Sequence, residues 1–351
     1  MRTILYLWLL AFWVMSPGLK AQDLHFSQFG YSPVNLNPAL TGIFRGNLRL
    51  TGNFRSQWSS VPVDFLTFSA SADFKLPNQN PESNGFFALG GAFNYDQAGA
   101  SKLYLVNGSA NLSYTRRLHK KLFLTAGVQL GGSNRGFDID PLLFNTQYDR
   151  GASEGNPGLP SGESFSGFRN SFFDLGTGLN FRWQDYGNCE IINTLKKRSF
   201  LDLGIGLFHV NKPDQAFDDG DNARLAVRLS PYFLGNLQVD ENFDAFLNTN
   251  FQFQGPYKEW LVSAGGRVYL NKTPGNQLSM AFSGGYRFNN EFGDSFFPAI
   301  EVQVGPVYGA ISYDINLSDY KVATGRRGGW ELTVRYMLGG VCINNYFCPL
   351  L

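Results

Sequence analysis

The feature that most constrains this chain is an alternation of apolar and polar residues with a period of two. Along 277–288 the even positions are mostly large and apolar, whereas the odd positions are small, polar or charged. The stretches 65–75, 243–254 and 330–336 repeat the pattern. Successive side chains of a β-strand point to opposite faces, so a period of two predicts strands with one apolar face each. Because the repetition runs along most of the chain, it predicts an all-β fold.

Either a soluble β-sandwich or a membrane barrel would show such stripes, because both bury one face of each strand. Two features favour the barrel. The stripes are about 10–14 residues long, whereas strands of globular proteins usually have about 5–6 residues. Their polar faces also carry charged residues at mid-strand, which a wet lumen permits. We therefore predict a transmembrane antiparallel up-and-down β-barrel.

The stripes divide most simply into fourteen strands, although twelve or sixteen remain open at this point. An even number suits a bacterial outer-membrane barrel and leaves both chain ends in the periplasm. On that topology 133–170 is a large external loop and 115–121 is a tight, basic periplasmic turn. The predicted strands lie near 46–58, 63–76, 85–96, 102–115, 121–132, 172–184, 199–210, 223–235, 243–254, 259–271, 277–289, 295–304, 306–317 and 328–338.

The first residues predict export. A positive start, Met1-Arg2, is followed by an apolar run over 4–14, which is too short for a membrane helix of about 20 residues. This pattern is typical of a cleavable Sec-type signal peptide, with cleavage after Ala21 and Gln22 as the mature start. The alternative is an uncleaved N-terminal anchor. No cysteine lies near the junction, so a lipid anchor is not expected.

The two ends of the mature chain lack the alternation. Residues 22–44 contain the turn signals Ser32-Pro33, Asn37-Pro38 and Thr41-Gly42, and we expect them to plug the lumen or the periplasmic mouth. The last thirteen residues follow the final strand as a tail. The predicted organisation is a signal peptide (1–21), a pre-barrel plug segment (22–44), the barrel (45–338) and a tail (339–351).

Composition excludes several classes of function. A net charge of +1 gives no basic footprint for nucleic acid. Of the three cysteines, Cys342 and Cys348 lie close enough in the tail to form a disulfide, which leaves Cys189 over. No C-x-x-C pair or Cys/His cluster indicates a metal site, and no cofactor is predicted.

The sequence also gives little support for catalysis. The three histidines are His25, His119 and His209, and a barrel lipase would need a serine and an orienting group beside one of them. No local motif supplies these groups around His209, which is the best placed of the three. The acidic run 218–222 lacks the ligand spacing of an EF-hand loop, so a solvated loop is favoured over a Ca²⁺ site. We predict that the protein is not an enzyme.

Short strings near both ends of the mature chain are more specific. The N-terminal ones are 23–29 (DLHFSQF), 35–42 (NLNPALTG) and 53–58 (NFRSQW), and the C-terminal ones are 327–332 (RGGWEL) and Cys348-Pro349. Together they resemble the PorP/SprF family of the type IX secretion and gliding apparatus. The final Leu350-Leu351 departs from the family pattern, in which a basic residue and an aromatic would be expected.

The resemblance implies an outer-membrane barrel that works with a secreted surface protein. Members of the family are thought to help export or retain large adhesins through the C-terminal domain of the adhesin. They are also thought to contact periplasmic components of the secretion and gliding machinery. The expected partners are therefore a large secreted adhesin, these periplasmic components and outer-membrane lipid, and no enzyme activity is implied.

Two groups of residues are candidates for contact with the plug or with a partner. The first group lies in or near the N-terminal strings and either packs as a plug or forms a surface that a partner reads: His25, Phe26, Phe29, Asn37, Pro38, Arg55 and Trp58. The second group, to which Arg55 also belongs, is the inward-facing charges: Arg49, Asp73, Arg267, Arg287, Glu301, Asp314, Glu331 and Arg335. These charges either pair with one another and with the terminal segments, as buried charges must, or line a passage or grip a partner.

The favoured function is a non-catalytic partner of type IX secretion that binds, anchors or helps to export a surface adhesin. The competing class is a plugged transporter or porin, because a barrel of about fourteen strands can admit a small solute past a movable plug. A transporter should conduct ions or solute in bilayers. An anchor should be blocked and should copurify with a large secreted protein.

Overall fold

The computed structural model describes residue 23 and residues 25–58, 64–77, 84–99, 101–138, 142–149, 154–162, 167–186, 195–217, 223–273, 275–289, 293–318 and 321–339. The predicted signal peptide, the acidic run 218–222 and all three cysteines, with the predicted disulfide, lie outside these residues.

The structure is a closed antiparallel barrel of fourteen strands. Each strand pairs with its neighbours in the chain, and the last strand pairs with the first, so the sheet has no free edge. The predicted fold class is therefore confirmed. The barrel strands are β1 Leu48–Gln57, β2 Phe65–Lys75, β3 Gly85–Ala98, β4 Leu103–His119, β5 Leu122–Gly136, β6 Arg169–Gln184, β7 Phe200–Phe208, β8 Arg228–Gln238, β9 Phe243–Gln254, β10 Tyr257–Asn271, β11 Leu278–Phe288, β12 Gly293–Val304, β13 Val307–Asn316 and β14 Arg327–Leu338.

Three predicted boundaries were wrong. Strands β4 and β5 continue past the apolar stripe, so the basic turn is only Lys120-Lys121 and the external loop is 137–168. Their ladder extends because backbone pairing does not require apolar side chains. Arg117 of β4 still pairs with Phe123, and Arg135 of β5 still pairs with Leu105. Strand β8 begins five residues later than predicted. Residues 223–225 are extended, but their backbone forms hydrogen bonds with residues 213–215 of the same connection and not with the barrel wall.

Side chains alternate cleanly between the two faces of the wall. On the outer face large apolar residues are exposed, for example Leu130 at 55%, Phe282 at 58% and Trp330 at 54%. Such an apolar band is what the lipid around a membrane barrel requires. On the inner face the register places Arg49 beside Asp73 and Arg55 beside Glu331, so that opposite charges meet across neighbouring strands.

The two ends of the barrel differ in the length of their connections. At one end, here the turn end, β4–β5 and β12–β13 are joined by two residues each. At the other, here the loop end, the connections 137–168 and 209–227 are long. Outer-membrane barrels have short periplasmic turns and longer extracellular loops, so we expect the turn end to face the periplasm and the loop end to face outward.

The lumen is filled by the chain that precedes β1. This plug segment, Asp23 with residues 25–47, contains three short helical turns: Phe29–Tyr31, Pro33–Leu36 and Pro38–Leu40. Proline opens two of these turns, because its fixed φ and missing N–H suit the first position of a helix. None of the helices in the described part of the chain is long and apolar enough to cross a bilayer.

An apolar cluster joins the plug segment to the barrel wall. Phe29, Leu36, Leu40 and Ile43 of the plug segment pack with wall residues that point inward, and the whole cluster is buried. The wall residues of this cluster are Tyr232, Leu261 and Phe297. The middle of the barrel is therefore a packed core.

Candidate functional site

Asn37 and Pro38 hold the centre of the plug segment against the wall. The Asn37 side chain is fully buried, and its Oδ1 accepts the backbone N–H of Ala39 at 2.8 Å. Its Nδ2 donates to the carbonyl of Leu179 at 2.9 Å and to the Tyr232 hydroxyl at 3.0 Å. Every donor and acceptor of this amide group is thus engaged, as burial of an amide requires.

Three inward-facing glycines let the plug backbone approach the wall. A Cβ at Gly127 of β5 would lie 2.5 Å from the carbonyl carbon of Pro38 and 2.6 Å from the Cα of Ala39. A Cβ at Gly206 would lie 2.6 Å from the Leu36 carbonyl oxygen, and one at Gly178 would lie 2.8 Å from the side-chain carbon of Asn37. No larger residue fits at these positions without displacing the plug segment.

A buried charge network fixes the plug segment near the loop end. The Glu331 carboxylate accepts the backbone N–H groups of Ser27 and Gln28, each at 2.8 Å. Asp314 accepts the Ser27 hydroxyl at 2.8 Å, the Arg55 Nη2 at 2.7 Å and the Arg287 Nη2 at 2.8 Å. Residues of four strands, β1, β11, β13 and β14, thereby form one network around Ser27 and Gln28 of the plug segment.

A second network holds the plug segment near the turn end. Arg49 forms a two-pronged pair with Asp73, with Nε–Oδ1 at 2.8 Å and Nη2–Oδ2 at 2.7 Å. The same two residues bind the plug backbone, because Arg49 donates to the Leu40 carbonyl at 3.0 Å and Asp73 accepts the Gly42 N–H at 2.7 Å. The pair is fully buried and serves as a clamp on residues 40–42.

The remaining predicted charges lie between these networks. Arg267 pairs with Glu301 at 2.5 Å. Arg335 donates to the Gly30 carbonyl at 3.1 Å and stacks over the Tyr31 ring at 4.5 Å. All of the predicted inward charges point into the lumen, where they pair with one another or bind the plug segment.

The predicted plug and partner residues fall into two places. Phe26 and Phe29 are buried inside the lumen. His25 lies nearer the loop end, where burial and the cations Arg55 and Arg287 lower its pKa to about 3, so the ring is neutral. Trp58, which the sequence grouped with the plug, instead follows β1 at the loop end and packs edge-on against Phe65.

Sequence reasoning missed three further charge clusters. Arg182 pairs with Asp202 at 3.2 Å, and Arg198 pairs with Asp244 at 2.8 Å. The third cluster, Asp23 with His209, Arg228 and Asp174, lies at the loop end. The period-two alternation that places the other charges inward would also have found Arg182 and Asp202, since each occupies an inward position of its strand.

The start of the plug segment is held by the third cluster. The Asp23 Oδ2 lies 2.8 Å from the His209 Nε2 and 2.9 Å from the Arg228 Nη1. The other ring nitrogen of His209, Nδ1, lies 2.9 Å from the Asp174 Oδ2. Burial alone would lower the pKa of His209, but the two carboxylates outweigh it and raise the pKa to about 9. With a carboxylate at each nitrogen, His209 has no position left for activating a nucleophile.

This cluster predicts a pH dependence of stability. Because the pKa of His209 is raised from 6.5 to about 9, its stabilisation is fully present below pH 6.5 and is lost as the pH rises through 9. The loss should amount to about 3 kcal/mol. We expect the Tm of the wild type to fall towards that of His209→Gln over this range. Parallel Tm curves for the two proteins would contradict this assignment.

The plug segment separates two cavities. The inner cavity, on the turn side, has a volume of about 240 Å³ and is lined by Arg45, Arg182 and Arg335 among others. The outer cavity, on the loop side, has a volume of about 500 Å³ and is lined by His25, Trp58 and others. No lining residue is common to the two cavities.

Comparison with known proteins gives a family and a fold. The family model described as "Type IX secretion system membrane protein PorP/SprF" matches residues 18–336. No curated protein matches the chain. Among solved structures, the toluene transporter TbuX of Ralstonia pickettii is 10% identical with a TM-score of 0.49, and the alignment covers 88% of this chain and 94% of that one. A deltaS2 mutant of the TodX monoaromatic hydrocarbon channel is also 10% identical, at a TM-score of 0.50 and with the same coverage.

Proposed function

Because the chain belongs to the PorP/SprF family of type IX secretion system membrane proteins, we propose that it is a non-catalytic outer-membrane barrel that anchors a large surface adhesin or helps to export it. In this proposal the barrel binds the C-terminal domain of the adhesin on its outer side. Periplasmic components of the secretion and gliding machinery contact its turn end.

The observation that carries this proposal is the plugged lumen. A barrel that passes solute needs a path or a plug that moves readily. Here one short segment is held by Arg49–Asp73, by the Asp314–Glu331 network and by the Asp23–His209 contact. Opening would break the hydrogen bonds that these wall groups make to the plug segment and the ion pairs of Asp23, so each of these contacts opposes opening. A plugged barrel suits a binding and anchoring role.

Cells that lack this protein provide the first test. Such cells should lose the adhesin from their surface, and the wild-type gene supplied in trans should restore it. Normal surface adhesin in the deletion strain would contradict the proposal. Other outer-membrane barrels should remain at normal abundance, which excludes a general defect of the membrane.

The second candidate is a plugged transporter for a small solute. It is favoured by the fact that the plug is a single continuous segment that precedes the first strand, with a cavity on each side. Bilayer recordings discriminate between the two functions. An anchor should show no steady conductance, whereas a transporter should conduct or should take up its solute into vesicles.

The central contact of the plug gives a further prediction. Replacing Asn37 and Pro38 together with alanine removes three hydrogen bonds of the buried amide and leaves the Leu179 carbonyl without its donor. The loss should be about 2–4 kcal/mol. We expect adhesin display to fall while folded barrel remains in the membrane. The matched control is Asn134→Ala, whose amide bonds Ser171 away from the plug. Normal display at equal barrel abundance would contradict a role of the plug in partner binding.

A further inference from the structure

The outer cavity contains two charged groups that have no charged partner among the described residues. Asp96 on β3 accepts the Thr67 hydroxyl at 2.6 Å, and no described cation lies within ion-pair distance of it. Arg135 on β5 bonds the Gln215 side chain and lies 5.8 Å from the centre of the Phe217 ring. No described carboxylate lies within ion-pair distance of its guanidinium group. Both residues line the same cavity.

The register of the wall fixes the positions of these two groups. Asp96 is opposite Leu105 of β4, and Leu105 is opposite Arg135. The two residues therefore lie at one level, two strands apart, which is about 10 Å between their backbones. Leu105 projects into the cavity between them. The wall thus presents the Asp96 carboxylate and the Arg135 guanidinium group to the cavity, with the apolar side chain of Leu105 between them.

The other charges of the outer cavity are already neutralised. Asp23 and Asp174 face His209 and Arg228, and Arg55 pairs with Asp314. The rest of the lining includes the aromatic residues Trp58, Phe65, Phe172 and Phe208. Asp96 and Arg135 are only half-buried, so both can reach a ligand in the cavity. A half-buried charge without a partner loses part of its hydration, and a ligand of opposite charge would recover that loss.

We propose that the outer cavity binds the C-terminal end of a polypeptide that finishes in lysine or arginine. The terminal carboxylate pairs with Arg135, the basic side chain pairs with Asp96, and the apolar part of the side chain packs on Leu105. A volume of about 500 Å³ is sufficient for the last few residues of a chain. The inference rests on the proposed function, because the cavity is on the loop side, where an exported adhesin would present its C-terminal end.

Binding of three short fluorescent peptides to the purified full-length barrel tests this proposal. One peptide ends in lysine with a free carboxylate, the second has the same sequence with a C-terminal amide, and the third ends in norleucine. We expect the first to bind about tenfold or more tightly than either of the others, as lost charge-assisted hydrogen bonds predict. Equal affinity for all three, or no binding of the first, would overturn the proposal.

Two charge-removing variants assign the two groups separately. Asp96→Asn should abolish the preference for lysine over norleucine, whereas Arg135→Gln should abolish the preference for a free carboxylate over an amide. Each variant places a neutral amide of similar or smaller size at a half-buried position, so both should fold, which heat-modified mobility on gels checks. Free lysine that binds as tightly as the peptide would overturn the assignment to a chain end in favour of a small solute.

Recovery of the adhesin separates this inference from the proposed function. If the double variant Asp96→Asn/Arg135→Gln still copurifies with the adhesin at the wild-type yield, the outer cavity is not the binding site, although anchoring stands. If the wild type itself recovers no adhesin, the anchoring function fails. Recovery with the wild type and loss with the double variant supports both.

Discussion

Replacing Gly127 with alanine is expected to turn a closed barrel into a conducting one. A Cβ at this position would lie within 2.6 Å of the Pro38 and Ala39 backbone, so the wall and the plug segment cannot keep their present contact. Overpacking of a buried contact costs about 1–3 kcal/mol, which raises the fraction of open barrels roughly fivefold or more. The strand itself tolerates alanine, because the strain falls on the plug and not on the ladder.

Single-channel recording measures this effect directly. The wild type should be blocked, and Gly127→Ala should open for a measurable fraction of the time. The control is Gly132→Ala on the same strand, where a Cβ meets no atom within 4 Å, and this variant should stay closed. Closed behaviour of both variants would mean that the plug is not sealed by its contact with β5.

Loss of the Asp314 charge should have the largest effect on stability. Asp314→Asn leaves Arg55 and Arg287 with one fewer carboxylate each and weakens the bond to Ser27 of the plug. An uncompensated buried charge costs about 3–5 kcal/mol, and the two guanidinium groups share this site. We therefore expect a lowered Tm and release of the start of the plug segment, detected as faster amide exchange of residues 25–31.

Removal of one ion pair as a unit provides the matched comparison. In Asp314→Leu/Arg55→Leu both partners of that pair are absent, and Arg287 keeps Glu259 and Asp294 as its partners, so part of the stability should return. Recovery in the double variant combined with loss in the single variant would show that the charge balance matters. A Tm for Asp314→Asn equal to that of the wild type would contradict the importance of this network.

Much of the wall could be predicted from the sequence because barrel strands obey one periodic rule. The alternation in 277–288 predicts an inward Arg287 and an outward Phe282, and in the structure Arg287 is buried whereas Phe282 is 58% exposed. The same rule gave all fourteen strands, although not the ends of β4, β5 and β8. Strand ends lie outside the apolar belt, where lipid no longer demands alternation.

The path of the plug segment could not be predicted in the same way. Its contacts join residues that are far apart in sequence, such as Asn37 with Tyr232 and Ser27 with Glu331. No local pattern encodes such a pairing, and the turn signals at Pro33 and Pro38 fix only the bends. The wall glycines that receive the plug resemble ordinary strand glycines until the opposite backbone is seen. For the same reason, the Asp23–His209 contact had no signal in the sequence.

The central claim is that this closed barrel anchors a large exported adhesin. Purification of the tagged protein from its native outer membrane in gentle detergent, followed by mass spectrometry, tests it most directly. We predict that a large adhesin is recovered through its C-terminal region, together with periplasmic components of the type IX machinery. A barrel that is recovered alone, at full yield and from cells that display the adhesin, would contradict the claim.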